Sequence, residues 1–161
     1  MENLKMIKII DGDLLSSSAE IIAHQVNCQG KMGSGVAKQI REKYPEVFMH
    51  YKHICNLHTP ESLLGHCQVV PIKNRKSIAN LFGQLGYGYD GKQYTDLNAL
   101  KRAMLKLRDR MDMNNEDCTL TVAFPYGLGS VRGGAKWEDV YKMIEEIFVC
   151  YNVEIWRWDK G

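Results

Sequence analysis

Short apolar runs alternate along the chain with longer segments whose apolar residues recur at helical spacing. Runs at 6–10, 21–26, 67–72, 77–82, 120–124 and 153–158 predict strands, with Pro71 marking an edge or a strand end. Val36, Ala37 and Ile40 predict a helix over 35–43, interrupted at Pro45 and continued by a second piece carrying Val47, Phe48, Tyr51 and Ile54. Leu97, Leu100, Met104, Leu107 and Met111 make one face of a helix predicted over 94–111, with Lys101, Arg102 and Lys106 outside. Val140, Ile144, Ile147 and Phe148 predict a last helix over 137–151. Residues 11–13, 74–76 and 114–117 read as turns, and 56–65 (with Pro60) and 83–91 as loops. Alternating strands and helices predict a three-layer α/β/α architecture, and the hairpin-like pair at 67–82 makes its central sheet mixed.

Composition narrows this little. The 161 residues, 45% hydrophobic and 25% charged, fit one globular domain over 1–161. A net charge of +2 gives no support for a nucleic-acid surface. Five cysteines without a CxxC pair argue against a disulfide framework. With no apolar run of signal or membrane length, the expectation is a cytoplasmic protein without a membrane partner.

Candidate chemistry lies in two glycine-rich loops. Asn27-Cys28-Gln29-Gly30-Lys31-Met32-Gly33-Ser34-Gly35-Val36-Ala37 follows a strand and opens a helix, and 127–134 does the same further on. Such turns let backbone approach a ligand, and the free N–H groups of the first helical turn favour an anion. Two of them at equivalent strand ends suit neighbouring phosphates. Neither the GxGxxG dinucleotide fingerprint nor the GK[S/T] phosphate loop is present. His50, His53, Cys55, His58, His66 and Cys67 crowd together, but their spacing fits no zinc motif, so no metal is expected. No cofactor is expected either.

The ordered segments Gly12-Asp13-Leu14, Asn27 to Ala37, Asn80-Leu81-Phe82-Gly83-Gln84 and Pro125 to Trp137 resemble the macrodomain family over essentially the whole chain. The similarity is to the branch holding terminal ADP-ribose glycohydrolases, the antitoxins that strip ADP-ribose from DNA, and the yeast ADP-ribose 1''-phosphate phosphatase. It implies a three-layer α/β/α macrodomain and an ADP-ribose ligand. By this resemblance Asp13 accepts the adenine amino group and the Leu14 backbone lies beside the ring. Asn27 meets the distal ribose. Gly33, Ser34, Gly35 and Val36 wrap that ribose and the first phosphate. Leu128, Gly129, Ser130 and Val131 form the second diphosphate loop. Gln84 falls in the site, and Trp156 stands where relatives place an aromatic near the adenine, although a sheet-face tryptophan is an equal reading.

The chain departs from these relatives where they do chemistry. Gln84 occupies the region that holds a nucleophilic lysine in the glycohydrolases, and a glutamine amide forms no Schiff base. The second loop has no carboxylate, and Lys136 stands where related short proteins often carry aspartate. A lysine-dependent mechanism is therefore not expected. His24, matched by a histidine in the phosphatase, and Asp90 are the catalytic candidates, against the reading of His24 as a core histidine. Strand alternation puts His24 and Val26 on one face and Gln25 and Asn27 on the other. The expected activity is hydrolysis of an ADP-ribose derivative, namely the 1''-phosphate or an ADP-ribosyl group on a macromolecule. The alternative is a module that reads or sequesters ADP-ribose. The expected partner is ADP-ribose or an ADP-ribosylated molecule, with nucleic acid only as such a substrate, and the chain is expected to be a monomer.

Overall fold

The computed structural model describes residues 6–88, 90–114 and 118–158. Six strands, β1 (Ile7–Asp11), β2 (Ile21–Asn27), β3 (Cys67–Pro71), β4 (Ser77–Gln84), β5 (Thr121–Pro125) and β6 (Asn152–Arg157), form one sheet in the order β1-β6-β5-β2-β4-β3. All pairings are parallel except β3 with β4. The carboxyl ends of β2 and β5 therefore lie side by side at one edge, where ligands bind in open sheets of this kind.

Alternation along the strands sends apolar side chains to both faces. Ile21, Ala23, Leu81, Val122 and Phe124 pack with Leu100, Met104 and Leu107 of α4 (Leu97–Asn114) and with Val140 and Ile144 of α5 (Trp137–Ile147). On the other face Ile22, Ile78 and Ala123 pack with Ile40 of α1 (Gly35–Lys43) and Val47 of α2 (Pro45–Leu57). Each fully buried Leu or Ile contributes about 1.5–3 kcal/mol. Two apolar faces on one sheet demand two helical layers, which is the three-layer arrangement observed.

Strand ends shift by a residue or two from the sequence expectation, β4 running on to Gln84 rather than ending at 82, and the helices differ more. The expected loop at 56–65 contains a one-turn helix, α3 (Pro60–Leu63), capped by Thr59, whose Oγ1 accepts from Ser62 N. The long helix begins at Leu97 rather than 94, because Thr95 bridges to Gln84 and Asp96 caps the helix by accepting from Ala99 N at 3.0 Å. The last helix stops at Ile147 rather than 151. Most of the expected turn at 114–117 lies outside the described residues. Among the described residues no helix is long and apolar enough to cross a membrane, and no group of three or more His, Cys, Asp or Glu is placed to hold a metal ion.

Candidate ligand cleft

A cavity of about 400 Å³ opens at the carboxyl ends of β2 and β5, between the loop that leads into α1 and the loop that leads toward α5. Asn27, Gly33, Ser34, Gly35 and Val36 line it from the first loop. Leu128, Gly129 and Val131 line it from the second, and His24 and Gln84 from the strands. These are ten of the expected site residues. Among the described residues no Asp or Glu lines the cavity, whereas Lys31 and Arg132 do.

Asn27 builds the first loop. Its Oδ1 accepts from Gln29 N at 2.9 Å and from Lys31 N at 3.4 Å, and its Nδ2 donates to Lys31 O at 2.9 Å. Tyr51 of α2 reaches across to share its hydroxyl proton between Asn27 O (2.8 Å) and Oδ1 (2.9 Å). Burial raises the Tyr51 hydroxyl pKa far above its ordinary value, so it stays a donor. The loop ends at Gly35, whose φ of +59° suits glycine. Ser34, the N-cap of α1, makes no side-chain cap, which leaves the first-turn N–H groups facing the cavity.

The second loop is built from backbone. Ser130 N and Val131 N donate to Gly127 O, Gly134 N to Ser130 O, and Ala135 N to Gly129 O. The 94–95 segment holds it from outside: Tyr94 N and Thr95 N donate to Gly133 O, and Thr95 Oγ1 donates to Gly129 O at 2.7 Å. Gly133 has to be glycine here, because a Cβ would stand 1.9 Å from Thr95 Oγ1. Thr95 itself accepts from Gln25 Nε2 at 2.8 Å, and the same Gln25 amide donates to Gln84 Oε1 at 2.7 Å. Gln84 Nε2 donates to Gly86 O. Gln84 is thus a pin beneath the cleft, with both ends of its amide engaged.

His24 is fully buried. Its Nε2 lies 2.6 Å from Asn80 Oδ1, Asn80 Nδ2 donates to Gln68 Oε1, and Gln68 Nε2 donates to His50 O. Asn80 Oδ1 only accepts, so Nε2 carries the proton and donates. Nδ1 is buried without a hydrogen-bond partner. Desolvation lowers the His24 pKa to about 4, only partly opposed by the Asn80 bond, so the ring is neutral at pH 7. The register of β2 against β4 shifts between Val26 (opposite Phe82) and Asn27 (opposite Gln84), with Gly83 as the extra residue. Residues 24–27 all border the cavity, both faces of the strand end included.

The remaining expected site residues do not line the cavity. Asp13 Oδ1 accepts from Leu15 N at 2.9 Å and caps a short turn of helix at 14–16, whose Leu14 is buried. Trp156 packs on Gly12 and donates Nε1 to Glu154 Oε1. Both stand at the carboxyl ends of β1 and β6, on the cleft's edge of the sheet. Ser130 turns its hydroxyl to Gly127 O. Asp90 is exposed outside the cavity, and its Oδ1 accepts from Tyr94 OH and Lys92 N, bonds that hold its carboxyl below the usual range. Sequence reasoning missed Tyr87, Tyr126, Lys31 and Arg132 as lining residues. The Pro-Tyr dipeptide closing β5 was the available signal for Tyr126, whose ring packs on Trp137 at 4.9 Å between centroids.

The model of the Macro domain family matches residues 23–144. A DNA ADP-ribosyl glycohydrolase of Mycobacterium tuberculosis is 31% identical over 147 residues, covering 89% of this chain and 39% of that protein. The chain thus spans about two fifths of that relative's length. An ADP-ribose 1''-phosphate phosphatase of Saccharomyces cerevisiae is 26% identical over 169 residues, covering 91% of this chain and 93% of that protein. Among solved structures, the macrodomain of Mycobacterium tuberculosis DarG superposes with a TM-score of 0.78 at 28% identity, covering 94% of this chain and 97% of that one. A family match across most of the chain, on this sheet order and this two-loop cleft, makes the chain a member of the Macro domain family.

Proposed function

We propose that this chain binds ADP-ribose in the cavity between its two glycine loops and hydrolyses a derivative of it, ADP-ribose 1''-phosphate or an ADP-ribosyl group on a macromolecule. The observation that carries the binding is the uncapped N-terminus of α1 facing a second loop across one cavity. Hydrolysis is supported by the relatives named above, a glycohydrolase and a phosphatase. In the phosphatase reaction water attacks phosphorus, the bond from phosphorus to the C1'' oxygen breaks, and phosphate and ADP-ribose leave. Loop N–H groups would stabilise the charge that develops. Gln84, with its amide held by Gln25 and Gly86, supports no lysine-type covalent route.

One observation favours a second reading, a non-catalytic ADP-ribose module: among the described residues no carboxylate lines the cavity, and the His24 nitrogens are engaged or buried. Calorimetry with ADP-ribose and phosphate release from ADP-ribose 1''-phosphate separate the two. The first reading expects heat of binding and turnover. Binding without turnover of either substrate class leaves the module, and neither heat nor a thermal shift at millimolar ligand overturns both. Unchanged turnover in His24→Ala removes His24 from the mechanism.

A further inference from the structure

The two glycine loops bring cationic side chains to a cavity that backbone alone would suffice to shape. Lys31 lines it from the first loop and Arg132 from the second, and no Asp or Glu is among the described lining residues. Arg132 lies beside the helix terminus. Its Nε lies 3.7 Å from the point that a Cβ on Gly35 would occupy, so the guanidinium reaches from one loop across to the first residue of α1. The first-turn N–H groups of α1 and a planar guanidinium therefore border the same space from two sides. A phosphate between them would accept from backbone on one side and from a charged donor on the other, and charge-assisted bonds of that kind are about twice as strong as neutral ones.

We propose that Arg132 is a specificity-determining residue that clamps the ligand's phosphate groups over the α1 N-terminus, so that this chain reads its ligand by charge as well as by shape. The inference rests on the ADP-ribose reading above. It makes affinity depend on ionic strength, since Arg132 sits at the mouth, where salt screens, and not in the buried floor. A cleft gripping phosphate with backbone N–H groups alone would respond less to salt.

The test is calorimetric titration with ADP-ribose at low and at high ionic strength, using the wild-type chain, Arg132→Gln and Arg132→Lys, with a melting curve for each. Arg132→Gln is expected to weaken binding about tenfold at low salt, with the gap to wild type closing to about twofold at high salt. Arg132→Lys is expected to keep the salt dependence and to lose less, since the charge remains but the planar fork does not. A loss under about twofold at low salt, a loss equal at both ionic strengths, or a lysine variant no better than the glutamine overturns the clamp while leaving the ADP-ribose reading standing. A lowered melting temperature that accompanies a salt-independent loss assigns Arg132 to loop structure and also overturns it. Wild-type chain that takes up no ADP-ribose overturns the functional reading, and this inference with it.

Discussion

The two loops that face each other across the cleft look alike in sequence and are held by opposite means. The first is organised by one side chain: Asn27 gathers Gln29 N, Lys31 N, Lys31 O and the Tyr51 hydroxyl around a single amide. The second is a sequence of backbone turns fastened to the 94–95 segment, where Tyr94 N and Thr95 N donate to Gly133 O and Thr95 Oγ1 donates to Gly129 O. The first loop is part of the core, because Tyr51 is fully buried and Asn27 nearly so. The second is seated by Leu128, 4% exposed, and turns Val131 outward at 82%. One wall hangs on a single side chain and the other on many backbone bonds, so single substitutions strike the two differently.

The severest way to break the comparison is Gly35→Glu, which forces a side chain onto a φ of +59° and puts a carboxylate at the anion site. ADP-ribose binding is expected to fall by more than about a hundredfold in calorimetry. Acid tests what lies beneath both loops. The folded pKa of His24 is about 4, below the ordinary 6.5, so the unfolded chain binds the extra proton between those values. The contribution of His24 to stability is complete above about pH 6.5 and is lost as pH falls toward 4, on the order of 3 kcal/mol in all. Urea unfolding across that range should show the slope in wild type and lose most of it in His24→Leu.

Asn27→Ala strikes the first loop alone. It leaves the Tyr51 hydroxyl without its side-chain acceptor and Gln29 N without the Asn27 acceptor, and should cost about 2–3 kcal/mol in urea unfolding. Thr95→Val is the matching change for the second loop. It removes the bond to Gly129 O and the acceptor for Gln25, and should cost about 1 kcal/mol while weakening ADP-ribose only a few-fold. If Thr95→Val proves the more destabilising of the two, the contrast between a loop organised by one side chain and a loop built from backbone fails.

Much of this was legible in the sequence. The helix at 35–43 and, to within a residue, the strands expected at 21–26 and 67–72 follow from apolar period and glycine punctuation, and the same glycines place the cleft. What was not legible is what fastens the loops. Tyr51 shows at its position only a core residue on a helix face, and Thr95 only a polar residue ahead of a helix. Their contacts at sequence separations of 24 and 34 exist only once the sheet has assembled. Asn27 was legible as a residue of the site, but its role in shaping the loop was not, since an amide at a strand end can turn outward to a ligand or inward to backbone. His24 was weighed as acid, base or core histidine. The partner that decides its tautomer, Asn80, stands directly opposite on β4, a register no local pattern contains.

The Asn27 amide also sets the tempo at which the first loop can move. Because the loop's amides at Gln29 and Lys31 are satisfied by a side chain from the end of β2, and that side chain is satisfied by α2, opening the loop requires breaking bonds to both elements. Those amides thus belong to the same cooperative unit as the sheet and exchange hydrogen with solvent on the sheet's slow clock. A segment with the composition of a flexible turn is, in this fold, part of the last region to open.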